Sequence, residues 1–197
     1  MKLTFIYQTL ENRNNKAEVE KHGPYFCSLI DSQGNQKQGV KEPWLGEGFY
    51  FWDTRIEDAK WWGDTVFKNI GKGYYICEAQ YDAHSEKLFD MVGDLSAFDE
   101  FIEVAKELKR ERKLAKVSFP YVLSHLKNIP EFDYAAIRVC PISKNNNFHL
   151  IYFPFKKGGE NIYLGLIGKV QICFFDHTLL TQNFKVVEET SCMLPVL

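Results

Sequence analysis

The segment Gly46-Glu47-Gly48-Phe49-Tyr50-Phe51-Trp52-Asp53 holds the residue types most suited to chemistry in this chain. Its two glycines make a turn at which a ligand can approach the backbone closely. The aromatics that follow alternate, which on a strand sets Phe49 and Phe51 on one side and Tyr50 and Trp52 on the other. The second side is a surface on which a flat heteroaromatic ring could stack. The same four rings would also suit a packed core, so residue types alone leave both readings open. From Thr54 the period changes. Ile56, Ala59, Trp62 and Val66 recur at helical spacing, and Thr54 with Glu57 has the form of a capping box, so the turn should feed directly into a helix. Asp53, at the start of that helix, is expected to cap it.

Read as Gly-x-Gly-aromatic-Tyr-Phe-x-Asp, followed at fixed distance by Ala and an aromatic, this block resembles the central motif of the ADP-ribosyltransferase fold, as found in poly-ADP-ribose polymerases and small bacterial relatives. The match falls on Gly46, Gly48, Tyr50, Phe51, Asp53, Ala59 and Trp61. The resemblance implies that NAD is bound as a substrate, with Tyr50 stacked on its nicotinamide and Trp61 as a second wall. Asp58 stands where the family usually has a serine that contacts nicotinamide. The family's histidine strand, which holds a ribose and the nicotinamide amide, has its nearest counterpart in Ile6-Tyr7-Gln8-Thr9, with Gln8 at the histidine. Its late-strand glutamate has a counterpart in Gln171, within Val170-Gln171-Ile172-Cys173-Phe174-Phe175-Asp176. The implied catalytic set is therefore Gln171, Tyr50 and Gln8. The implied NAD-binding set is Gln8, Thr9, Gly48, Tyr50, Asp58, Ala59 and Trp61.

These replacements carry a chemical consequence. Cleaving the bond between nicotinamide and ribose builds positive charge on the ribose, and a nearby carboxylate helps through its negative charge. Glutamine keeps the hydrogen bond and loses the charge, and removing one well-placed electrostatic group costs about 10²–10³ in rate. An amide can still donate and accept at once, so binding of NAD or ADP-ribose can survive. Two functions are expected on this basis. One is weak transfer of ADP-ribose from NAD to a protein or nucleic-acid acceptor; the other is a catalytically inactive member of the fold that binds a nucleotide or a protein. Asp58 and Glu160 are the acids left open as substitutes for the missing charge.

Other chemistries find little support. The run Lys106, Lys109, Arg110, Arg112, Lys113, Lys116 reads as a solvated helix face, since no aromatics interleave it. His22, His84, His125, His149 and His177 never fall at metal spacing, so no metal site is assigned; His177, close to the Gln171 strand, is weighed as a pocket residue. Five scattered cysteines without a Cys-x-x-Cys pair read as reduced thiols. No phosphate loop ending in Lys-Ser/Thr and no Gly-x-Ser-x-Gly turn is present. With 24 basic against 26 acidic residues, the net charge of -2 gives no global field for holding nucleic acid. No stretch approaches the ~18 apolar residues of a membrane span, and the reading is cytoplasmic with no membrane partner.

The elements that must position these residues follow from period and punctuation. Strands are expected at Leu3 to Tyr7, Gly73 to Tyr81, Lys87 to Val92, Tyr134 to Cys140, Phe148 to Phe155, Asn161 to Leu166 and Lys169 to Asp176. Helices are expected at Lys16 to Lys21, from Thr54, at Ser96 to Leu114 with Phe98, Ile102, Ala105 and Leu108 on one face, and at Val117 to Ile129, broken near its start by Pro120. The order is that of an α+β domain whose sheet is drawn from both ends of the chain. At 197 residues it reads as one domain, residues 1–197, able to bury about 70 % of its unfolded surface. The resemblance implies a split, mixed sheet with flanking helices.

Overall fold

The structure, a computed structural model, describes residues 2–31, 33–37, 43–141, 168–181 and 183–191, together with the backbone of 150–154 and 161–165. In chain order these form β1 (Leu3–Glu11), α1 (Lys16–His22), β2 (Phe26–Cys27), β3 (Gly48–Asp53), α2 (Ile56–Val66), a 3₁₀ turn (Lys68–Ile70), β4 (Tyr74–Asp82), β5 (Leu88–Asp90), α3 (Leu95–Glu111), α4 (Phe119–Leu126), β6 (Ala136–Val139), β7 (Leu150–Pro154), β8 (Asn161–Gly165), β9 (Gln171–Phe174) and β10 (Lys185–Thr190). One open sheet runs β10-β4-β1-β3-β9-β6-β5 with β2 beside β3, and β7 and β8 form a separate antiparallel pair. Its pairings are antiparallel except that of β5 with β6, which is parallel and is reached through α3 and α4. The architecture is α+β, a mixed sheet with four α-helices among the described residues, and both ends of the chain supply strands.

Register sorts the side chains onto two faces. Tyr7 pairs with Trp52, Trp52 with Gln171 and Tyr50 with Cys173, so Tyr7, Thr9, Tyr50, Trp52, Gln171 and Cys173 share one face. Two helical layers cover its ends. At one, Ala59 of α2 packs with Tyr7, Trp52, Tyr74 and Ile76. At the other, Phe101 and Leu108 of α3 and Val122, Leu123 and Leu126 of α4 pack with Phe89, Ile137, Val139 and Cys173. The opposite face buries Ile6, Phe49, Phe51, Tyr75, Tyr81, Ile172 and Phe174 with Val19 of α1 and Phe184. β3 is the middle strand with aromatic rings on both faces, as its alternation predicts.

β1 and β3 pair only at Ile6–Asp53 and Tyr7–Trp52, after which β2 takes over the other end of β3. The Gln8 amide bridges that parting. Its Nε2 donates to the carbonyls of Tyr25 (2.9 Å) and Tyr50 (3.3 Å), and its Oε1 accepts from the Tyr25 amide (2.9 Å). A side-chain amide thus does for Tyr25 what a peptide group of a neighbouring strand would do.

Several local expectations change. The capping box does not form: α2 has Arg55 as its N-cap without a side-chain bond, and Thr54 lies outside the helix at φ 63°, donating to Asp53 Oδ1 (3.0 Å). Asp53 is no cap either, because its carboxylate is buried against the guanidinium of Arg138 (2.7 Å). α2 buries Asp58, Ala59 and Gly63 instead of a stripe through Trp62. Gly63 brings this about, since the Tyr74 ring lies within 2.6 Å of where a Cβ would stand. α3 starts from an Asp94 side-chain cap and buries Ala97, Phe101 and Leu108, leaving Phe98 exposed. Pro120 does not break α4; it sits in the first turn, where no N–H partner is lost, and Ser118 caps the helix. β2 and the polar edge strand β10 are additions to the expected set. The turns expected at 144–147 and 156–159, and Glu160, lie outside the described residues.

Candidate functional site

The candidate cleft is the stretch of the first face between α2 and α4, where the sheet residues Trp52 and Cys173 are themselves buried; a cavity of about 500 Å³ opens on the other side, beside Asp53 and Arg138. Trp52 stands opposite Gln171 on β9. The Trp61 ring meets Trp52 edge-on at 6.0 Å between centroids, and Trp62 leans on both. Trp61 is 45 % exposed, an uncommon state for so large an apolar ring. The Lys169 ammonium lies 4.4 Å from the Trp61 ring centroid, so cation and indole form one wall of the cleft. Asp58 precedes Trp61 by three residues, one turn earlier on α2 and on the same side of the helix.

Asp58 is the unusual group. It is only 4 % exposed, and its Oδ2 has no hydrogen-bond partner among the described residues. Burial lifts its carboxyl above the usual carboxylate range; Arg55 and Lys169 oppose the shift and Glu57 adds to it. Asp58 is therefore an acceptor without a donor, beside exposed aromatic surface.

The turn before β3 closes the other end of the cleft. Trp44 Nε1 donates to Gln171 Oε1 at 2.7 Å, and the indole leans on Phe119 of α4 at 5.4 Å. The Tyr50 hydroxyl accepts from the Leu45 amide (2.8 Å) and donates to the Gly46 carbonyl (2.8 Å). Gly46 makes this return with φ +76°, a conformation that suits glycine. Leu45 is fully buried and anchors the turn. Burial raises the Tyr50 phenol well above its ordinary pKa, so it stays a neutral donor. The polar ends of Tyr50 and Gln171 are thus both engaged by the Trp44–Gly46 turn.

No family model, curated protein or solved structure matches the chain. The site must be judged on its own geometry.

That geometry divides the expected residues. Tyr50 and Gln171 share the first face, Trp61 meets it through Trp52, and Asp58 lies one helical turn before Trp61, whereas Tyr50 packs at the α4 end with its hydroxyl on the Leu45–Gly46 turn. Gln8 does not join them, since strand alternation turns it to the opposite face, where it is buried and bound to Tyr25; Tyr7 and Thr9 are the β1 residues on the cleft face. Thr9 Oγ1 donates to the Ala59 carbonyl at 2.9 Å, pinning α2 to β1, and the Ala59 side chain is fully buried. Gly48 leaves room for the neighbouring strand: a Cβ there would stand 2.5 Å from both Cys173 Sγ and the Phe174 carbonyl oxygen. Glu47 is occupied by the Ser28 hydroxyl and the Leu29 amide, which hold its carboxyl below the usual range. The His177 ring rests on Phe49 at 4.4 Å, on the far face, so it does not line this cleft. Among the described residues no cluster of three or more His, Cys, Asp or Glu could hold a metal ion, and no helix is long and apolar enough to cross a membrane. Trp44 and Lys169 are the residues here that sequence reasoning did not single out. The density of tryptophan between Trp44 and Trp62 could have signalled Trp44, and no local pattern signals Lys169.

Proposed function

We propose that the chain binds NAD or ADP-ribose in this cleft, as a protein built on ADP-ribosyltransferase lines whose polar residues favour holding the dinucleotide over cleaving it. The observation that carries the reading is the partnerless Asp58 oxygen set beside the exposed Trp61 ring, on the face that Tyr50 and Gln171 share. An exposed indole backed by Trp52 offers a stacking surface, and a buried acceptor beside it calls for a ligand with an N–H donor. Lys169 supplies positive charge at the rim for a phosphate.

Catalysis lacks its parts. The ribose-holding position has the uncharged Gln171, whose carbonyl oxygen is taken by Trp44, and Gln8 is committed to joining two strands. Among the acids near the turn, Asp53 is paired with Arg138 and Glu47 is held by the Ser28 hydroxyl and the Leu29 amide.

Thermal-shift titration with NAD should raise the melting temperature of the wild type, and Trp61→Ala, an exposed substitution, should weaken that shift at least about tenfold in apparent Kd. Nicotinamide release should be negligible in the wild type. Gln171→Glu can still accept from Trp44 and adds the missing charge, so release should rise by about 10²-fold. An unchanged NAD titration in Trp61→Ala would move the ligand away from this cleft.

A further inference from the structure

Where β3 leaves the sheet it opens a gap. Its last residue, Asp53, pairs with Ile6, so Leu3 and Thr4 of β1 have no strand beside them on that side among the described residues. The chain departs through a tight turn. The Arg55 amide donates back to the Asp53 carbonyl at 2.6 Å around Thr54, whose φ of 63° lies in a region that β-branched residues rarely enter. Strain of that kind gathers at ligand sites, where the surrounding structure holds it in place. The gap is a cavity of about 500 Å³ walled by Leu3, Phe5, Thr54, Asp90 and Arg138, and it has the size of a small-molecule pocket.

We propose that this cavity is a second ligand site, separate from the cleft, and that it takes a neutral sugar of one or two hexose rings. Charge decides the class. Lys2 and Arg138 balance Asp53 and Asp90 around the cavity, so an anion meets carboxylates there and a cation meets the guanidinium. The side chains of Arg138 and Asp90 are each 22 % exposed, whereas that of Asp53 is 2 % exposed. The open edge of the network is therefore the Arg138–Asp90 pair. Asp90 Oδ1 takes the amides of Val92 and Gly93, and Oδ2 accepts from Arg138 Nη1 alone among the described residues (3.0 Å). Arg138 has five N–H groups, and at least one on Nη2 has no acceptor among the described residues. A spare donor thus stands beside a spare acceptor, which is what adjacent hydroxyls of a sugar answer, since each hydroxyl both donates and accepts. Phe5 and Leu3, 44 % and 43 % exposed, supply an apolar wall for the C–H face of the ring.

The test is titration of the isotope-labelled full chain with D-glucose, D-galactose and D-mannose, followed through its backbone amide NMR shifts. At least one of these sugars should move the amides of residues 3–5, 54, 90–93 and 138 and leave 56–61 in place, with a Kd of about 1–10 mM. Glucuronate and glucosamine, which add a negative or a positive charge to such a ring, should each bind at least about threefold more weakly than the best neutral hexose. Phe5→Ala takes away the apolar wall at an exposed position, and Thr54→Gly takes away a hydroxyl while easing the turn; each should weaken binding at least about threefold. Absence of any shift with the neutral hexoses at about 100 mM overturns the proposal. Tighter binding of glucuronate also overturns it and would give the site to Lys2 and His84; tighter binding of glucosamine overturns it and would give the site to Asp90. Unchanged affinity in either variant, or displacement of the sugar by NAD, overturns it as well. The dinucleotide reading of the cleft stands or falls separately, on its own NAD titration.

Discussion

Asp53 and Asp58 are five residues apart, equally buried at 4 % exposure, and live in opposite electrostatic worlds. Asp53 faces the other side of the sheet, and both of its oxygens are answered. Arg138 meets it through Nε (2.8 Å) and Nη2 (2.7 Å), the Tyr81 hydroxyl and Thr54 donate to its other oxygen, and Arg138 Nη1 holds Asp90 at 3.0 Å. The network ties β3, β4, β5 and β6 together. Asp58, on the cleft side, has an oxygen with no partner among the described residues. A buried carboxylate with its donors in place is a structural joint, whereas one without them is retained at a cost to stability, and a ligand is the natural donor.

The sharpest way to break this contrast is to remove the answer on the satisfied side. Arg138→Met should strand Asp53 and cost about 3–5 kcal/mol in urea unfolding. A loss below about 1 kcal/mol would mean that the network is not the joint described. Next comes Gln8→Ala, which leaves the Tyr25 amide and carbonyl unanswered and should cost about 2 kcal/mol, with NAD binding by the folded fraction unchanged. A loss of NAD affinity larger than the loss of stability would return Gln8 to the binding set.

Asp58→Asn should move stability the other way. Burial raises the folded-state pKa of Asp58, so the ligand-free wild type loses stability as pH climbs from the ordinary carboxylate range through that raised value. The asparagine variant escapes this loss and should be the more stable protein at neutral pH, by about 1 kcal/mol, with the gap closing as pH falls toward 4. A wild type that is the more stable at pH 7 would show that Asp58 is answered after all. Trp44→Phe should have the smallest effect. It removes one hydrogen bond from Gln171 and so should tighten NAD binding about fivefold, with melting temperature nearly unchanged.

The alternation in β3 was legible because a strand writes its period into neighbouring residues, and it set Tyr50 and Trp52 on one side as the register does. In α2 the helix was legible and its buried stripe was not, because Gly63 lets the Tyr74 ring close on the helix. Gln8 shows the limit. A one-residue error in register turns every side chain of a strand to the other face, and Ile6-Tyr7-Gln8-Thr9 has no polar and apolar pattern to fix which side is which. The partners of Asp53 and Gln171 were invisible for another reason. Arg138 lies 85 residues from Asp53, and Trp44 lies 127 residues from Gln171, so no local rule joins them. Sequence can name Asp58 as acidic; only packing can show that its oxygen is left without a donor. β10 escaped because Lys-Val-Val-Glu-Glu-Thr carries the polar load of an edge strand.

Amide hydrogen exchange with and without saturating NAD puts the contrast between the two faces to its most direct test. Protection should gather at residues 56–61 in the first turns of α2 and at 169–173 around Gln171. Residues 81–90 and 136–138, beside the Arg138 network and the cavity of about 500 Å³ that opens next to it, should be untouched. Protection centred on the Arg138 side, or none on either face, would contradict the account.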